Sequence, residues 1–83
     1  MIDHSNNLEK ALVIIDLCLA STTGIMKSKY LAKVLDTTPR TIRRIFRIIY
    51  NMSYELTMID VKLNTGIARG NCYEDSSIRI KLK

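Results

Sequence analysis

Four arginines stand close together in the stretch TPRTIRRIFRIIYN: Arg40, Arg43, Arg44 and Arg47. Wound as a helix at ~100° per residue, they fall within about 100° of one another. Ile42, Ile45, Phe46 and Ile49 take the opposite side. No acidic residue occurs from Thr37 through Tyr54, so no i,i+4 ion pair on that helix relieves the repulsion between guanidiniums. A guanidinium donates two parallel hydrogen bonds from a planar fork, which suits phosphate oxygens and guanine edges. An α-helix fits the major groove of B-DNA, and its N-terminal N–H groups favour phosphate. The expected role is a recognition helix. The plainer alternative is a solvated basic face, or one paired with acids elsewhere in the fold.

Other chemistry is sparse. The single histidine, His4, sits near one end of the chain, and two cysteines, Cys18 and Cys72, are too few for a zinc site or a disulfide framework. There is no Gly-rich phosphate loop and no assembled Ser/His/Asp or Cys/His set. No enzyme activity, catalytic residue, metal or cofactor is expected. The 83 residues make one domain, 1–83, of globular composition. A formal charge of +5 on so small a body favours polyanionic partners. The longest apolar stretch, ALVIIDLCLA at 11–20, carries Asp16 and is about half a membrane span. No membrane association is expected. A cytoplasmic or nucleoid-associated protein with reduced thiols is.

These side chains need elements to hold them. The periodicities predict three helices, at about 6–20, 28–35 and 39–51, followed by two strands at about 55–63 and 77–82. Asn6 and Glu9 fit a capping box for the first helix. Its core stripe reads as Leu8, Ala11, Leu12, Ile15, Cys18 and Leu19, yet Val13, Ile14 and Leu17 are apolar too. A helix apolar on most sides has to be covered on most sides, so Val13, Ile14 and Leu17 are the expected homodimer surface. Tyr30, Leu31, Val34 and Leu35 anchor the second helix. Asp36 ends it in a turn where the left-handed conformation is tolerated. Thr38 followed by Pro39 is the clearest helix start in the chain. The polar segment from Asn64 to Ser76 reads as a long hairpin loop. A tight turn at 64–66 with an extra strand at 67–73 is the alternative. Cys18 is expected to be a buried, inert thiol and Cys72 an exposed one in the loop. Tyr30 and Tyr54 are expected to pack in the core or at a hinge.

The stretch GIMKSKYLAKVLDTTPRTIRRIFRIIYNMSYEL, residues 24–56, resembles the winged helix-turn-helix domains of the DeoR and biotin-repressor type. Leu31-Ala32, Leu35-Asp36-Thr37-Thr38, Arg40-Thr41-Ile42-Arg43-Arg44 and Met52-Ser53-Tyr54-Glu55-Leu56 stand in the places of that family's motifs. The resemblance implies a mainly α fold with a small antiparallel β-hairpin, a winged helix-turn-helix. It implies that Thr38, Arg40, Thr41, Arg43, Arg44 and Arg47 face DNA, while Leu31, Ile42, Phe46 and Ile49 hold the helices together. The sequence departs from the pattern at Asp36 and Ser53, where the family has Gly. It departs again at Thr37, where an apolar residue is usual, and at Ile45, where an acid is common.

The loop 64–76 would then be the wing, with Arg69 reaching a minor groove or a phosphate and Lys62 adding a backbone contact. Lys29, with Lys27 and Lys33, would touch phosphates beside the second helix. The function expected is sequence-specific binding of double-stranded DNA by a homodimeric transcriptional regulator, with a palindromic site whose half-sites lie about one helical turn or a multiple apart. A plasmid or viral replication or partition adaptor shares this DNA chemistry. A winged-helix protein–protein module, its arginine face meeting an acidic partner, is the alternative from another class. Structured RNA fits poorly, because the A-form major groove does not admit a helix.

Overall fold

A computed structural model of the chain describes the backbone of residues 4–64, 68–69, 72–73 and 76–83, and the side chains of 7–64 and 76–83. Helix α1 covers His4–Ala20, a short strand β1 Ile25–Lys27, helix α2 Ser28–Val34 and helix α3 Pro39–Met52. Strand β2 follows at Ile59–Asn64, then the two-residue strands β3, Ala68–Arg69, and β4, Cys72–Tyr73, and finally β5 at Ser77–Leu82. Strands β1, β5 and β2 form an antiparallel sheet in that order, while β3 and β4 pair with each other. The architecture is three helices with a three-stranded antiparallel sheet, richer in β structure than a hairpin alone.

Helix α3 begins as its residues dictate. Thr38 is the N-cap, accepting the Thr41 N–H at 3.2 Å, and Pro39 occupies the first turn, where no N–H is needed. Asp36 ends α2 with φ of 52°, the left-handed turn that its short polar side chain tolerates. Helix α1 starts at His4, so Asn6 lies inside the helix and does not cap it.

The core is built from one face of each helix and one face of the sheet. Ala11, Ile14, Ile15 and Cys18 come from α1, Leu31 and Ala32 from α2, and Ile42, Ile45, Phe46 and Ile49 from α3. Ile59, Val61, Ile78 and Ile80 close it from the sheet. This corrects the stripe read for α1. Its buried arc is centred on Ala11 and Cys18, which turns Leu8, Leu12 and Leu19 outward. Ile14 is fully buried within the chain and is no dimer contact; Leu17 is half-buried against the same core, and of the three residues expected at that surface only Val13 is exposed. Burial pushes the Cys18 thiol up to about 11, so it stays protonated and unreactive at neutral pH.

The strand assignments change at three places. Residues 55–58 are not strand. The chain leaving α3 keeps turning, with the N–H groups of Glu55 and Leu56 both donating to the Met52 carbonyl at 3.0 Å. The loop between β2 and β5 contains the small β3–β4 ladder, and β1 is an element the sequence pattern did not mark.

Strand β1 is placed by Gly24. Its φ is 73°, and its carbonyl accepts the Ile80 N–H at 2.9 Å. A Cβ added at this position would lie 2.7 Å from the Ile80 carbonyl oxygen, a backbone atom that cannot swing aside. Gly24→Ala therefore combines a left-handed backbone penalty with a main-chain collision. It is expected to cost about 2 kcal/mol or more and to lower the melting midpoint by roughly 10 °C. Urea denaturation and a thermal scan followed by circular dichroism check this.

Candidate nucleic-acid interface

The basic face of α3 is set by the burial of the opposite face. Ile42, Ile45, Phe46 and Ile49 are each fully buried, which fixes the rotation of the helix about its axis. Arg40, Arg44 and Arg47 are consequently exposed, with Arg43 half-buried at the edge of the same face. The four guanidinium-bearing side chains wall a shallow surface depression. Arg43 is engaged with a neighbouring group. Among the described residues Arg40, Arg44 and Arg47 form no ion pair; Arg79 and Asp60, paired at 3.8 Å, lie away from them on the sheet. Clustered cations facing water, without a carboxylate partner among the described residues, raise a local positive potential that attracts polyanions.

The threonines have a second task. The Thr38 and Thr41 hydroxyls lie 3.1 Å apart, and the Thr38 oxygen also accepts the Thr41 N–H. They stiffen the first turn of α3 at the edge of the arginine face. Thr38 is exposed and Thr41 half-buried, so both retain hydroxyl capacity beside Arg40.

Lys29 is drawn toward this end of the helix. Together with Lys33, one turn later on α2, it lines a groove that continues through Asp36 and Thr37 to Pro39. Both lysines are exposed, and Lys29 already has an interaction partner. Lys29 and Lys33 lie one helical turn apart on α2, which puts both on the same side of the helix. Asp36 places one negative charge in it.

Lys62 is not brought to the site. It alternates along β2 with Ile59 and Val61, whose side chains enter the core beneath the helices, so Lys62 projects from the opposite face of the sheet. Arg69 lies in β3, where its backbone pairs with Cys72; its side chain, and that of Cys72, lie outside the described residues. Tyr30 and Tyr54 are exposed, not packed in the core. Tyr54 instead stacks edge-on against Tyr50, with ring centroids 5.6 Å apart, and donates its hydroxyl to that of Tyr50 at 3.2 Å. That hydrogen bond raises the Tyr54 phenol above its ordinary value.

No protein-family model, curated protein or solved structure matches the chain. A capped helix presents three exposed guanidiniums, without an ion pair among the described residues, and a fourth at their margin, beside a lysine-lined groove. Among the described residues no helix is long and apolar enough to cross a membrane, and no cluster of His, Cys, Asp or Glu is placed to hold a metal ion.

Proposed function

We propose that the protein binds double-stranded DNA as a winged helix-turn-helix, with α3 in the major groove, and acts as a transcriptional regulator. The observation that carries this reading is the outward row Arg40, Arg44 and Arg47, exposed and without a carboxylate partner among the described residues. A helix held rigid by four buried apolar side chains loses little freedom on entering a groove, so its arginines are already oriented toward base edges and phosphates. The arrangement of α2 and α3, joined by the short turn at Asp36, and the antiparallel pairing of β2 with β5 support the fold that the sequence resemblance implies. Lys29 and Lys33 supply backbone contacts next to the N-terminus of α3. Arg69 is assigned to the wing tip.

Binding driven by phosphate contacts releases counterions and weakens steeply with salt. Fluorescence anisotropy with a labelled random duplex at about 50 and 200 mM salt tests this directly. Six or more phosphate contacts predict a loss of about 10³-fold in affinity across that range. A folded protein that does not bind duplex DNA at the lower salt would sink the major-groove reading, and titration against an acidic polypeptide would then test the protein-docking alternative.

A further inference from the structure

The sheet has two edges of very different kind. Strand β1 has three residues, while β2, at the other edge, has six. A short edge offers little to pair with, whereas a long one presents a row of open backbone groups. Which groups of β2 are open follows from the hydrogen-bond phase. Ile80 sends its N–H to Gly24, on the β1 side, and Lys83 sends its own to Met58, on the β2 side. Odd-numbered residues of β5 thus turn toward β2, and the register pairs them with Asp60, Lys62 and Asn64. The N–H and C=O groups of Val61 and Leu63, and the carbonyl of Ile59, point away from the sheet. None of them has a backbone partner among the described residues.

The side chains along this edge are self-complementary. Set antiparallel to a second copy of itself with Val61 opposite Val61, the strand puts Ile59 opposite Leu63 on the core face and Asp60 opposite Lys62 on the outer face. The open backbone groups then meet in hydrogen-bonded pairs. Asp60 and Lys62 fall in the closer, non-hydrogen-bonded pairs, where cross-strand side chains interact best. The neighbouring two-fold registers fail on charge. Centring on Asp60 sets aspartate against aspartate, and centring on Lys62 sets lysine against lysine. Within one chain Lys62 lies directly opposite Arg79, a like-charge pair that destabilises a sheet, and it has no ion pair among the described residues. A second chain's Asp60, which already pairs with Arg79 of its own chain at 3.8 Å, brings its carboxylate opposite Lys62 as well.

We infer that the protein forms a two-fold homodimer through its β2 edges, in the register centred on Val61. This joins the two three-stranded sheets into one. The axis runs normal to the sheet, so the helical layers of both chains lie on the same side of it. Each α3 packs on its own β2, so the two helices flank the axis. The inference rests on the strand's own hydrogen-bond phase and charge order and holds whatever the arginine face binds. It replaces the dimer surface expected on α1.

Charge reversal tests it. Lys62→Glu faces Arg79 within its own chain, so the monomer keeps its fold, but across the axis the new glutamate meets Asp60. Sedimentation equilibrium is expected to show the dimer dissociation constant raised roughly tenfold or more, with an unchanged circular dichroism spectrum. Asp60→Lys gives up the Arg79 ion pair and faces Lys81 within its own chain, so its fold is checked by circular dichroism first; across the axis it sets lysine against Lys62 of the second chain and weakens its own dimer. Mixing the two folded variants restores opposite charges at both pairs, so native mass spectrometry should find the mixed dimer in preference to either homodimer. Three results would overturn the proposal: a wild-type chain that stays monomeric at about 100 μM, a Lys62→Glu chain that dimerises like wild type, or a dimer broken by Leu12→Asp on α1 but untouched by Lys62→Glu.

Discussion

Replacing Arg44 and Arg47 together by alanine is expected to lower duplex affinity by about a hundredfold at near-physiological salt. Each side chain carries a charge-assisted hydrogen-bonding fork worth about 1.5–3 kcal/mol where it meets a charged acceptor, and discounting half of that for residual solvation still leaves a large combined loss. The plot of log affinity against log salt should flatten by about one unit for each phosphate contact removed. Both residues are exposed and lack an ion pair among the described residues, so their removal takes no ion pair from the folded state. Relieving repulsion between i,i+3 neighbours should leave the melting midpoint unchanged or slightly raised. That combination separates a binding role from a structural one. Equal affinity and an equal salt slope in the folded variant would remove α3 from the DNA surface.

Phe46→Ala should have the largest effect on stability. Phe46 is fully buried in the centre of the cluster shared by all three helices and the sheet. Truncating a buried phenylalanine costs about 3–5 kcal/mol, part from lost apolar transfer and part from the cavity left behind. A domain of 83 residues holds roughly 4–12 kcal/mol in total. The variant is therefore expected to be largely unfolded at 37 °C, or to show a urea midpoint reduced by a third or more with little change in slope. Tyr54→Ala is the contrast, since Tyr54 is 73% exposed and touches mainly Tyr50. It should shift stability by no more than about 0.5 kcal/mol. A Phe46→Ala chain as stable as the Tyr54 variant would mean that α3 is not rotated as described, and the outward placement of the arginines would fall with it.

Helix α3 was legible because every signal for it is local. Thr38-Pro39 marks the start, and the isoleucines and arginines divide cleanly between two faces, so burying one face exposes the other. The left-handed turn at Asp36 and strand β5 were readable for the same reason. The span of helix α1 was legible as well, but its buried face was not, because leucine, isoleucine and valine surround most of it. Without a polar face, periodicity cannot say which arc the rest of the chain covers, and the arc covered proved to include Ile14 and leave out Leu12.

The helix count, the cap and face of α3, and the clustering of its four arginines all follow from local residue order. These depend on neighbours within a turn or two of helix. The tertiary structure alone decided three other things. Strand β1 is too short to carry a pattern and exists because Gly24 lets the chain approach Ile80, far along the sequence. Lys62 faces away from the arginine helix because the sheet's pleat sends Ile59 and Val61 into the core. The β2 edge is open because β5, the last strand, inserts between β1 and β2 and leaves β2 outermost. Side-chain pattern is set within a few residues, whereas coverage, pairing and facing are set by contacts between segments distant in the chain.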